Sequence, residues 1–222
     1  MSIKFQKPEQ QTNKFLAPAG THIAKCFKMI HVGQIDYLYQ GEPKKRNSLW
    51  VYFELPNELQ TFNSDIGEQP YSVNIEYNLT FYEAAKLFKH INSWRGKTLT
   101  PQELDDFEVS SLIGKSCMLT IVHNIAASGK TYANINSITG MPKGMEAPKQ
   151  INDSFIWDYN DNFSITEFNK FPQFMQEKIQ STPEWKQKTE DKKDIPGFEG
   201  TLEALEDLTN LRQSNNNDGL PF

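Results

Sequence analysis

The sequence predicts a mainly β protein: a five-stranded barrel with a helix between its third and fourth strands, then a helical extension and a flexible acidic tail. Two observations lead there. Five segments read as strands, and the first three alternate apolar and polar side chains, the first of them in part, with the period of a half-buried strand. Between the third and the fourth, the apolar spacing switches to three and four, the period of an amphipathic helix. A chain of 222 residues holds one good core with an appendage, or two small domains. Three strands, helices and two strands is the order of an OB-fold barrel, whose helix plugs one end. A two-layer α+β sandwich would show the same order.

Residues 1–20 have few periodic apolar positions and contain Pro8 and Pro18, so an irregular arm is expected. The first strand spans 21–32, with Ala24, Cys26, Ile30 and Val32 on one face and Lys25, Phe27 and Met29 on the other. Gly33 is expected to end it. Residues 34–47 hold Tyr37, Tyr39, Gly41, Pro43 and the cluster Lys44-Lys45-Arg46, which predicts a strand end and a basic connection. The second strand, 48–55, sets Leu49, Val51, Phe53 and Leu55 against Trp50, Tyr52 and Glu54, until Pro56 stops it. A polar loop is expected over 57–69. The third strand, 71–79, sets Tyr71, Val73, Ile75, Tyr77 and Leu79 against Ser72, Asn74, Glu76 and Asn78.

Phe81, Ala84, Ala85, Leu87, Phe88, Ile91 and Trp94 then follow helical spacing, with Thr80 as cap and Glu83 three residues on. Thr100-Pro101-Gln102-Glu103 starts a second, short helix. Strands are predicted over 117–123 and 132–138, joined by the turn Ala126-Ala127-Ser128-Gly129-Lys130. Residues 141–150, with Pro142, Gly144 and Pro148, read as a linker. An aromatic acidic stretch follows over 155–163, and a helical one over 164–179, interrupted near Pro172. The charged run 186–194 begins the tail, where Leu202, Leu205, Leu208 and Leu211 predict a short helix. The chain thus divides into an arm (1–20), a barrel (21–145), an extension packing on it through Phe155, Trp157, Phe168, Phe171 and Phe174 (146–185), and a tail (186–222).

The net charge of −5 is unevenly spread: residues 1–150 carry +2 and residues 151–222 carry −7. A slightly basic body accepts a polyanion, and an acidic tail repels or mimics one. Cys26 and Cys117 lie in apolar runs with no C-x-x-C spacing, which predicts small buried residues in a reduced compartment. Zinc ligands at usable spacing, nucleophile elbows, phosphate loops and paired acidic metal motifs are not found, so no cofactor and no enzymatic activity are expected. Nor is there an apolar run of about 18 residues or a signal-like start. A soluble, cytoplasmic protein is expected.

The faces that do not carry the core pattern offer rings beside cations. The first strand offers Lys25 and Phe27, the second Trp50 and Tyr52, with Tyr77 bordering them. The hairpin offers His123, Lys130 and Tyr132, and the first connection Tyr37, Tyr39, Lys44, Lys45 and Arg46. Bases stack on rings, and Lys or Arg neutralises phosphates, which is what a single nucleic-acid strand needs. The plainer alternative is that such rings fill a core and such cations line a solvated loop. Trp50 and Tyr52 stand out because Leu49, Val51 and Phe53 already supply a core face.

Several stretches carry a resemblance. They are Gly20-Thr21-His22-Ile23-Ala24-Lys25-Cys26, Leu49-Trp50-Val51-Tyr52-Phe53-Glu54-Leu55-Pro56, Trp94-Arg95-Gly96-Lys97 and Gly114-Lys115-Ser116-Cys117-Met118-Leu119. Val122-His123-Asn124, Gly129-Lys130-Thr131-Tyr132-Ala133-Asn134-Ile135 and Pro142-Lys143-Gly144 complete the ordered set. Together they resemble the bacteriophage OB-fold single-stranded DNA-binding proteins, over about residues 20–185. The resemblance implies an OB-fold, sequence-non-specific binding of single-stranded DNA, and service to phage replication or recombination in the host bacterial cytoplasm. The end of the chain, Asp218-Gly219-Leu220-Pro221-Phe222, is similar to the tails of bacterial single-stranded DNA-binding proteins. That similarity implies docking of replication or recombination proteins on Asp218, Leu220, Pro221 and Phe222. Asn215-Asn216-Asn217 stands where carboxylates are expected, and Leu220 replaces the usual Ile. Two rival readings remain at this point: an OB barrel that binds protein rather than DNA, and a metal-dependent nuclease.

Overall fold

A computed structural model describes residues 15–80 and 82–190. It is mainly β. Five antiparallel strands form one curled sheet in the order β3-β2-β1-β4-β5: β1 Gly20–Tyr39, β2 Glu42–Asn63, β3 Gly67–Asn78, β4 Ser116–Ile125 and β5 Thr131–Thr139. A helix, α1 (Lys86–Arg95), lies between β3 and β4 in the chain and packs against β3 and β5, the two ends of the sheet order. Then come α2 (Pro101–Asp105) and a 3-10 turn, Val109–Leu112. After β5 the chain adds a short strand, β6 (Phe155–Trp157), and three helices: α3 (Ile165–Phe168), α4 (Gln173–Gln180) and α5 (Pro183–Glu190).

Two cores result, one on each side of the sheet. The first fills the curl with Phe53, Leu55, Cys117, Leu119, Ile121, Ile138 and the α1 residues Ile91 and Trp94. Here the alternation of β2, β3 and β4 buries one face, as half-exposed strands do. The second lies between β1 and the C-terminal layer, where Ile30, Val32 and Ile35 meet Trp157, Ile165, Phe168, Met175, Ile179 and Trp185. β6 pairs in parallel with Lys28–Ile30 of β1, just past Lys25, where the β1–β4 pairing stops. It covers an edge that would otherwise present unpaired N–H and C=O groups.

The first strand corrects the expected faces. Cys26 pairs with Phe53 but Lys28 with Tyr52, so Phe27 is an extra residue in a β-bulge. A bulge shifts the side-chain phase by one. Met29 therefore joins Ala24 and Cys26 in the first core, while Ile30 and Val32 turn to the second. Nor does Gly33 end the strand. A second irregularity falls between His31 and Gly33, and Gly33 takes φ +97°. A Cβ there would stand 2.8 Å from a Glu184 carboxylate oxygen. That carboxylate instead accepts the Gln34 N–H at 3.0 and 3.1 Å, tying α5 to the sheet.

Three expected connections also change. Residues 34–47 are a hairpin whose arms pair from Gln34↔Asn47 to Tyr39↔Glu42, closed by Gln40 (φ 52°) and Gly41 (φ 83°). Positive φ at both loop residues matches the twist of the flanking strands. Residues 57–69 belong mostly to β2 and β3, and Pro56 sits inside β2. It is tolerated because the ladder skips from Leu55↔Tyr71 to Leu59↔Pro70, so no N–H is needed there. The helix expected from Phe81 begins only at Lys86, because Leu79 and Thr80 donate to Asn47 and Asn78 carbonyls and prolong the exit from β3. The box predicted at Thr80 is absent, whereas Thr100 and Glu103 form one around the start of α2. Residues 186–190 of the expected tail are helical, continuing α5 from the buried Trp185.

Candidate nucleic-acid interface

β2 keeps an unbroken pairing register with β1 from Glu42 to Ser48, and with β3 from Ser48 to Leu55. Lys44, Arg46, Ser48, Trp50, Tyr52 and Glu54 therefore share one face. Across the ladder, Tyr39, Tyr37 and Ile35 of β1 stand opposite Glu42, Lys44 and Arg46 on that face. The result is a strip of alternating rings and cations. The Lys44 ammonium sits 4.4 Å from the centre of the Tyr39 ring, and the Arg46 guanidinium 5.4 Å from that of Tyr37. Lys45 faces the other way, opposite Asp36. From Lys44 to Trp50 is about 20 Å of strand at ~3.3 Å per residue.

The strip has an open half and a covered half. Around the hairpin end, Tyr39 is 50% exposed and Lys44 is exposed. Towards Glu54 the C-terminal layer closes over it. Glu54 is fully buried, and its carboxylate accepts the Ile151 and Asn152 backbone N–H groups at 2.7 Å and the Asn152 side-chain amide at 2.6 Å. A buried carboxylate needs such donors. Lys28 lies among Tyr52, Phe155 and Phe171, with ring centres at 5.2, 5.3 and 5.6 Å. Burial lowers the Lys28 pKa and Glu167 opposes the shift. Burial also pushes the Tyr52 hydroxyl up to about 12.

Trp50 stands at the boundary. Its ring centre is 6.3 Å from Tyr52 and 5.9 Å from Phe174 of α4, with the Lys178 ammonium at 5.2 Å. Beside it one oxygen of Glu76 accepts from the Ser48 hydroxyl (2.6 Å), the Arg46 guanidinium (2.9 Å) and Lys178 (3.1 Å). Burial alone would raise the Glu76 pKa, but the Ser48 hydroxyl, Lys178 and Arg46 outweigh it and lower it. Arg46 Nε and Trp50 Nε1 are buried and lack a hydrogen-bond partner among the described residues. Both are donors on the strip, of the kind that an anionic or carbonyl oxygen satisfies.

The other sequence-predicted residues scatter. Tyr77 is a correction: it is 4% exposed in the first core, its hydroxyl 2.7 Å from His90 Nδ1, and presents no ring at the surface. Pattern alone could have shown this, since Tyr77 shares the face of Val73 and Ile75. Phe27 occupies the bulge, half-buried, and Lys25 pairs with Glu54 at the covered end. Lys130 and Tyr132 form a separate pair, 5.3 Å apart, on the β4–β5 hairpin. That hairpin leaves past Gly20, at the opposite end of β1 from Tyr39. His123 bonds the Ala17 carbonyl at 2.8 Å. Asp218, Leu220, Pro221 and Phe222 lie outside the described residues, as does the helix expected over 201–211.

Lys28, Glu76, Phe174 and Lys178 were not picked out as site residues by sequence. The signal for the strip was the even-numbered run from Lys44 to Tyr52, hidden by reading 34–47 as a connection. Among the described residues no group of three or more His, Cys, Asp or Glu is placed to hold a metal ion. Cys26 and Cys117 are buried thiols with no disulfide. No helix among the described residues is long and apolar enough to cross a membrane. A scan against protein-family models returns no match, and neither does a search of curated proteins.

Proposed function

We propose that this protein binds single-stranded DNA without sequence preference and has no enzymatic activity of its own. The observation that carries the reading is the strip on the β1–β2 face: Tyr39, Lys44, Tyr37, Arg46 and Trp50 alternate ring and cation along one extended ribbon. Rings stack bases of any identity and cations neutralise phosphates, so such a surface is sequence-tolerant and salt-sensitive. The strand order, with α1 between β3 and β4 and packed on β3 and β5, supports an OB-fold, a fold that presents strand faces to oligonucleotides. On this reading the protein serves replication or recombination of a phage genome in the host bacterial cytoplasm. Leu220-Pro221-Phe222, preceded by Asp218, recruits a partner enzyme.

The test is titration with labelled oligo-dT at several salt concentrations. Binding that weakens steeply with salt is expected; none at low salt refutes the reading. Tryptophan emission gives a local probe. Trp94, Trp157 and Trp185 are buried and Trp50 is the half-buried one, so quenching by DNA should disappear in Trp50→Phe. A second reading, a barrel that binds protein, draws on the burial of Tyr52 and part of Trp50 under the chain's own C-terminal layer. It predicts no affinity for oligo-dT in any variant.

A further inference from the structure

We infer that helix α4 forms part of the DNA track, with Phe174 as a base-stacking platform backed by Trp50. This rests on the single-stranded DNA reading and extends it to a part of the chain outside the barrel. α4 buries Met175 and Ile179 in the second core. Phe174 lies off that stripe and is 56% exposed. An isolated exposed Phe needs no explanation. This one is not isolated. Its ring centre is 5.9 Å from that of Trp50, which lies on the same face as Arg46 and Lys44. Lys178, one turn on and therefore on the same side of α4, reaches the Trp50 ring and Glu76. Trp50 is thus flanked by Tyr52, Lys178 and Phe174, and only half-buried by them. Of the two facing rings, Phe174 is the more open to an incoming base. The track runs from Tyr39 along β2 and ends on α4. Lys178 is a positioning residue: it braces α4 against Trp50 and Glu76, which Arg46 also holds.

The experiment compares Phe174→Ala, Phe174→Leu and Phe174→Tyr in the full chain, each titrated with labelled oligo-dT and melted. A stacked base is worth about 1–3 kcal/mol, or roughly five- to 150-fold in affinity. Ala and Leu should both weaken binding within that range, and Tyr should bind within about twofold of the parent, with all three melting as the parent does. Leu keeps apolar bulk without a ring, so rescue by Tyr and not by Leu separates stacking from packing. If Ala and Leu bind like the parent while Tyr39→Ala weakens binding, α4 is outside the track and the proposed function stands. If the parent itself does not bind oligo-dT, the proposed function fails and this inference with it.

Discussion

The two halves of the β2 face carry the same kind of alternation and meet different fates. At the hairpin, Lys44 and Arg46 lie beside Tyr39 and Tyr37, and the Lys44–Tyr39 pair is open to solvent. Nearer Glu54, Trp50 and Tyr52 lie under residues from β6, α3 and α4. Ring-and-cation composition therefore does not say whether a strand face is a core or a binding surface. What decides is whether another part of the chain brings apolar area and hydrogen-bond donors to cover it. Here Trp157, Phe168 and Trp185 supply the area, and Ile151 and Asn152 the donors.

The largest expected effect tests the cover. Trp157 is fully buried, with Tyr159, Phe163, Phe168 and Phe171 around its ring at 5.2 to 6.2 Å. Trp157→Ala should cost about 3–5 kcal/mol, read from urea unfolding. A loss under about 1 kcal/mol would mean that the covering layer contributes little to stability. Glu54→Ala should follow at about 2–3 kcal/mol, because two backbone N–H groups and an amide lose a buried acceptor. Glu54→Gln retains an acceptor oxygen and should recover part of that; if it does not, the charge itself matters.

The open half should behave in the opposite way. Tyr39→Ala removes a half-exposed ring, so stability should change by no more than about 0.5 kcal/mol. Its affinity for oligo-dT should fall by about 1–3 kcal/mol. Loss of stability without loss of affinity would reverse the assignment of the two halves.

The five core strand segments and the alternation that buries them could be read from the sequence, because period 2 is a local property. Long-range pairing was less legible. Nothing near Phe27 announces that it is an extra residue, since a bulge is defined by the partner strand. The hairpin over 34–47 was missed because its turn residue Gln40 adopts a positive φ that Asn or Gly more often signals. Of the site, rings and cations were legible as residue types, but Tyr77 went to the core. The clustering of Trp50 with Phe174, more than a hundred positions later, has no local signature. The cover was legible only as an aromatic-rich stretch.

A smaller effect separates the first core from the cover by pH. Burial, with Lys86 nearby, holds the His90 pKa down to about 4 from 6.5, and the ring lies against Tyr77 in the first core. Its neutral form is favoured in the folded state. The stabilisation is present above about pH 6.5 and is lost as pH falls towards 4, where the unfolded chain takes up a proton that the folded one does not. His90→Gln should flatten unfolding stability over that window. Equal curves for parent and variant would show that His90 does not set the acid limit of the first core.

The finest distinction lies between neighbours in the hairpin. Lys44 and Lys45 are adjacent in sequence and alike in chemistry, yet Lys44 shares the strip with Tyr39 and Lys45 points to the reverse face opposite Asp36. A cation that meets a phosphate releases counterions, so its removal lowers the slope of log affinity against log salt by about 0.7 for a single strand. Lys44→Ala should show that change; Lys45→Ala should show little beyond long-range screening over about 10 Å at 0.1 M salt. The two variants carry the same net charge, so general electrostatic attraction predicts equal slopes for them. Only a strand lying along the Tyr39–Trp50 face makes them differ, and equal slopes would detach the DNA from that face even if the protein binds it tightly.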